Sequence, residues 1–212
     1  MSKSSSNVLK HLQEIDKLKF KKEIKEFQDN SILPIENFNI PNELLKWFTT
    51  GCIETLIING LSGMGKTELI KSFLKSKNIK FLLIKNVQDL CEYNPQIHKA
   101  VIFDDIFFEK ELSAEEHINI ANTANSLNIK ILSGSIRIMQ NTLRIFTTNN
   151  VKQFLLNNYN KKAVLSKYFI LNINKSLFKD DINRIKIRNK NREQEIYEHN
   201  LQVLKELGVN NN

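Results

Sequence analysis

A chain of 212 residues with 41% hydrophobic content holds apolar material for one sizeable core with helical extensions, which excludes two full catalytic domains. Charged residues make up 25%, near the globular average, so wholesale disorder is excluded too. The 31 Lys and Arg against 23 Asp and Glu leave a net charge of +8, which favours a polyanionic partner, nucleic acid first, although AT-rich coding DNA would by itself enrich Lys, Asn and Ile.

Cys52 and Cys91 stand in no CxxC or Cys/His spacing, which argues against a disulfide framework or a zinc site. Met1–Ser6 is polar, and no apolar run approaches the roughly 20 residues that span a bilayer. The expectation is a soluble, intracellular protein without membrane attachment.

From Val8 to Phe27 apolar residues recur at helical spacing (Leu9, Leu12, Ile15, Leu18, then Ile24 and Phe27) with Lys17, Lys19, Lys21, Lys22 and Lys25 between them, a pattern that predicts an amphipathic basic helix. Pro34 and Pro41 bracket a connector, and Asn42 is placed to cap a short helix through Trp47 that ends near Gly51. Residues 1–50 thus read as a basic helical extension serving oligomerisation, 51–178 as the core, and 179–212 as a basic helical tail.

Within the core, Glu54–Asn59 is an apolar run suited to a strand buried on both faces, and a helix is predicted over Lys66–Lys75. Further apolar runs at Lys80–Ile84, Ala100–Phe103, Leu143–Phe146 and Tyr168–Leu171 alternate with helical or irregular segments. Ser113 and Glu116 have capping-box spacing at the head of a helix predicted to reach Ser126. The class expected is α/β, a parallel sheet sandwiched by helices.

Gly60, Leu61, Ser62, Gly63, Met64, Gly65, Lys66 and Thr67 satisfy G-x-x-x-x-G-K-[ST] between a predicted strand and a predicted helix. Glycines let such a loop curl so that its backbone N–H groups point at the phosphates of ATP, and the helix start adds its positive dipole end. Lys66 would neutralise the β- and γ-phosphates, and Thr67 would offer a hydroxyl to Mg²⁺. Asp104 and Asp105 end a later strand; Asp104 is assigned to Mg²⁺ and Asp105 to water activation, with the roles exchangeable and Glu109 a reserve base. Asn149, closing the run Arg144–Asn149, is the residue expected to sense the γ-phosphate.

The order of these motifs resembles the superfamily 3 helicases, most nearly the helicase domain of replication initiators from small circular single-stranded DNA viruses and related plasmids of geminivirus and circovirus type. The resemblance covers about Phe38–Phe178 and is carried by Gly60–Thr67, Val101–Asp105, the hairpin-like Ile129–Ile138, Leu143–Asn149 and Leu171–Phe178. It implies a homo-oligomeric ring, a hexamer, in which hairpins grip single-stranded DNA, here through Lys130 and Arg137 on either side of a Ser133-Gly134 turn. It also implies a cation donated to each ATP site by the neighbouring subunit. Lys167 stands where circovirus-like members have arginine, and a lysine cannot bind bidentately, so hydrolysis weaker than the family norm is expected.

Full-length relatives carry a nuclease domain with a His-hydrophobic-His metal motif and a nicking tyrosine. Only His11 precedes the loop here, so no nicking by this polypeptide is expected, which leaves a fragment, a split gene product or a helicase-only relative, with room for a separate nuclease or replication partner. The function read from the sequence is an ATP-hydrolysing helicase or translocase on single-stranded DNA in the replication of a small replicon. The alternative is an ATP-dependent nucleic-acid-binding switch, a helicase loader or a degenerate relative without unwinding activity.

Overall fold

The computed structural model describes residues 32–52, 54–106, 114–132, 134–155 and 162–180, together with 185 and 189. The chain forms two compact units, Met1–Leu33 and Pro34–Asn212. The first, with the basic helix expected there, lies almost wholly outside the described residues, as does the helical part of the basic tail; the fold below is that of the second unit.

Among the described residues the elements run α1 (Asn42–Thr49), β1 (Thr55–Gly60), α2 (Lys66–Ser76), β2 (Phe81–Ile84), a 3-10 turn (Val87–Glu92), β3 (Ala100–Asp104), α3 (Ala114–Ala121), β4 (Leu127–Ile131), β5 (Gly134–Ile138), β6 (Leu143–Thr148), α4 (Val151–Leu155), α5 (Lys162–Leu165) and β7 (Tyr168–Ile173). Five strands make one parallel sheet in the order β2-β3-β6-β1-β7. It is flanked by helices, a Rossmann-like α/β fold. The apolar runs of the central strands β1, β3 and β6 became strands because nearly every side chain there, whichever way it points, meets a covered face, while the edge strands β2 and β7 are covered less completely.

Ile57, Val101, Phe103 and Phe146 join residues of α3, α4, α5 and the β4–β5 hairpin in one buried cluster. The alternate residues Leu56, Ile58, Ile102 and Ile145 are just as buried on the opposite face, the side of Leu69, Ile70 and Phe73 from α2. Phe103 and Phe146 are register partners on β3 and β6, and their rings stack with centroids 4.4 Å apart, which contributes about 0.5–1.5 kcal/mol beyond area burial.

Two helix ends differ from expectation. Pro41, extended and with φ already fixed, is the N-cap of α1, so Asn42 is the first helical residue and makes no capping bond. α3 ends at Ala121 instead of reaching Ser126, because Asn122 leaves the helix to bridge Glu54. Ser113 of the expected capping box lies outside the described residues. The carbonyls at that helix end are collected by Arg144, which is fully buried on β6 and donates to the oxygens of Asn119, Ile120, Asn122 and Asn125. Burial lowers the Arg144 pKa to about 10, with Tyr93 and Tyr168 opposing, so the side chain stays a cation at neutral pH beside the negative end of the helix dipole.

The opposite, C-terminal ends of β1, β3 and β6 bring Gly60, Asp104 and Thr148 to one edge of the sheet. Open α/β sheets bind ligands at that edge.

Candidate functional site

The loop that leaves β1 curls back on itself. Gly63 and Gly65 have φ of 75° and 87°, left-handed values that L side chains rarely adopt. A Cβ on Gly60 would stand 2.6 Å from the Ile173 carbonyl oxygen, and one on Gly65 would stand 2.7 Å from the Phe178 ring. Gly60 therefore excludes a side chain against backbone, whereas a Cβ at Gly65 would require the Phe178 ring to shift. Among the described residues, the main-chain N–H groups from Gly63 to Thr67 donate to no acceptor within the protein. They form a half-exposed arc of free donors at the head of α2, suited to a multiply charged oxyanion.

Lys66 opens α2 and is only 7% exposed. Its ammonium donates to Gly60 O (2.7 Å), Leu61 O (3.0 Å) and Asn149 Oδ1 (2.9 Å), which uses all three of its protons. Burial lowers its pKa, against the raising pull of Asp105 and Asp104. The cation is thus held at the loop's inner wall, on three neutral oxygens, two of them main-chain carbonyls that an anionic ligand would outcompete.

Thr67 Oγ1 donates to Asp104 Oδ1 at 2.6 Å. That bond joins the loop to the acid strand across β6. Asp105 has a left-handed φ of 50°, and its main-chain N–H donates to Thr147 O at 2.9 Å. The turn swings its carboxylate onto Asn149, whose main-chain N–H and Nδ2 reach Oδ1 and Oδ2 at 3.1 and 2.7 Å. Lys66, Asn149 and Asp105 therefore form one continuous relay. Among the described residues no three His, Cys, Asp or Glu side chains gather to hold a metal by themselves. One hydroxyl and one carboxylate suit a cation that keeps waters and takes phosphate oxygens, which describes Mg²⁺.

Beside the loop an open cavity of about 270 Å³ is lined by Asn59, Gly60, Leu61, Met64, Asn149, Ile173 and Asn174. Its floor is ordered by asparagines, with Asn59 Nδ2 donating to Asn172 Oδ1 (2.9 Å) and Asn59 Oδ1 accepting from Val151 N (3.1 Å). The chain after β7 straps the loop from the other side. Leu177 N donates to Met64 O (3.0 Å), Asn39 N to Leu177 O (2.7 Å), and the Phe38 and Phe178 rings lie 5.2 Å apart.

The structure thus brings together Gly60–Thr67, Asp104, Asp105 and Asn149. It adds two residues to which the sequence analysis gave no role, Thr147 and Phe178. Glu109 lies outside the described residues. Lys130 and Arg137 sit apart from this cluster, on β4 and β5, both exposed on the outward face of the hairpin, where their register partners are Ser135 and Asn128. Ser133 of the turn is outside the described residues; next to it Leu132 is 92% exposed. Lys167 immediately precedes Tyr168, which pairs with Thr55 at the start of β1. A strand length, about 17 Å, separates that end from Gly60, so Lys167 stands away from the loop of its own chain. No helix among the described residues is long and apolar enough to cross a membrane.

No protein-family model matches the chain, and no curated protein matches it. What this site does is read from its own residues and their placement.

Proposed function

We propose that the chain is a P-loop ATPase of AAA+-like, superfamily 3 type that uses ATP hydrolysis to move on single-stranded DNA during replication of a small replicon. The observation that carries the reading is the 2.6 Å bond between Thr67 of the loop and Asp104 of a strand two places away in the sheet. A glycine-rich turn with an incidental lysine has no reason to be tied to an acid at the far side of β6.

In this reading the free amides of the arc hold the phosphates, and Lys66 exchanges the Gly60 and Leu61 carbonyls for anionic oxygens while keeping its bond to Asn149. Mg²⁺ bound with the triphosphate would supply charge neutralisation there. Thr67 and Asp104 are the residues that would hold it. Asp105 accepts a proton from the water whose oxygen bonds to the γ-phosphorus as the bond from that phosphorus to the bridging oxygen breaks and ADP leaves, and Asn149 keeps Asp105 and Lys66 in fixed relation to each other. Lys130 and Arg137, diagonal to each other on one solvent face, are the residues for DNA phosphates, so DNA affinity should fall steeply with salt.

A second reading, the ATP-dependent nucleic-acid-binding switch, is favoured by one observation. Lys167 is distant from its own loop, so its charge reaches a site only across a subunit boundary in an assembled ring, and it does so without arginine's fork. Steady-state ATPase of the full chain and its Lys66→Ala variant tests the site: turnover should vanish in the variant while the circular dichroism spectrum is kept. Unchanged turnover would remove Lys66 from the chemistry. Strand displacement measured alongside separates motor from switch.

A further inference from the structure

We infer that Thr147 is a positioning residue of the metal site, a third member beside Thr67 and Asp104, an assignment that rests on the nucleotide-site reading above.

Thr147 is the register partner of Asp104 on β3 and of Ile58 on β1, so the sheet places it between the acid strand and the loop strand. Register partners on parallel strands point to the same face. The Thr147 side chain therefore stands beside Asp104 on the side where α2 carries Thr67. Its hydroxyl donates to Asp104 Oδ1 at 2.6 Å, the length of the Thr67 bond to the same oxygen, and the two hydroxyl oxygens lie 3.2 Å apart.

A hydroxyl has one proton and two lone pairs. With both protons committed to Asp104 Oδ1, neither threonine donates to the other, and the Thr67 lone pairs are left to face a cation. Both bonds end on a carboxylate and are of the short, charge-assisted kind. Among the described residues Asp104 Oδ2 accepts no hydrogen bond, so it is the oxygen left for a water of the metal's shell. Thr147 is 2% exposed, so bulk water does not replace its hydroxyl when it is removed. Without Thr147, Asp104 Oδ1 has one donor instead of two and is held less firmly.

The test reads metal dependence instead of turnover. Binding of a fluorescent methylanthraniloyl-ADP is titrated against Mg²⁺, and repeated in EDTA, for the full chain and for Thr147→Val and Thr147→Ser. The Val variant should need about tenfold more Mg²⁺ for half-maximal binding with EDTA affinity within twofold of the parent, and Ser should restore the parent value. A fault confined to packing would lower both affinities together, and that outcome overturns the assignment. So does a Val variant whose Mg²⁺ requirement matches the parent's, which leaves the nucleotide site standing. If Val fails to fold, Thr147→Cys is measured in its place, since a thiol is a weak donor, and a parent-like Mg²⁺ requirement there overturns the assignment equally. A parent chain that binds the ADP analogue under no condition removes the nucleotide reading itself, and Thr147 with it.

Discussion

Asn149 grips Asp105 at both carboxylate oxygens, with its main-chain N–H on one and its amide nitrogen on the other. The same side chain accepts from Lys66 through its Oδ1, so one exposed asparagine fixes the distance between the loop's cation and the second acid. Asp105 has a left-handed φ, which aspartate tolerates better than most residues, and the two bonds from Asn149 add to what holds its carboxylate there.

Replacing Asn149 with Ala should therefore leave ADP affinity within about threefold and lower kcat by about 100-fold, the scale seen when one preorganised polar group is lost. Asn149→Asp should be no better, since it sets a like charge against Asp105. Steady-state ATPase and equilibrium ADP binding check both. Turnover within twofold of the parent in the Ala variant would take Asn149 out of the chemistry.

How much of this was legible beforehand follows from what sequence patterns encode. The five sheet strands were readable because coverage on both faces, fuller at the centre than at the edges, demands an apolar run, and the loop because Gly60, Gly65, Lys66 and Thr67 keep a fixed spacing within one turn of chain. Thr147 was invisible as a partner of Asp104 because the two are 43 residues apart and meet only through strand register, which periodicity does not report. Arg144 reads in the sequence as an ordinary charged residue in a strand, yet it is buried, because its acceptors are the carbonyls at the end of a helix that starts 30 residues earlier. The hairpin was legible from its short apolar flanks and glycine turn, whereas its two cations share a face only because strand side chains alternate.

Gly65 offers a test of the strap that holds the loop. A Cβ there meets two separate penalties, the left-handed φ and the Phe178 ring. Gly65→Ala should destabilise by at least about 1–2 kcal/mol from the backbone alone, with the clash added. In the Phe178→Ala background the clash is absent, so the cost of Gly65→Ala should fall towards the backbone figure. A double-mutant cycle by urea unfolding measures the difference as a coupling between the two positions. Strict additivity would mean that the ring moves aside freely and does not brace the loop.

Arg144 tests whether the core behind the site depends on a buried cation. Its guanidinium satisfies four carbonyl oxygens around the end of α3, the helix between the acidic strand and the β4–β5 hairpin. Arg144→Met keeps most of the side-chain volume but leaves those oxygens without their donor, at a cost of about 3 kcal/mol in urea unfolding. Arg144→Lys restores the charge without the planar fork, so it should recover only part of the loss. If Lys recovers nearly all of it, the helix dipole is the main interaction. If Met costs less than about 1 kcal/mol, water reaches the carbonyls and the bonds add little net stability. A large loss in Met with partial recovery in Lys would establish that the directed hydrogen bonds, more than the charge, hold the end of α3 against β6.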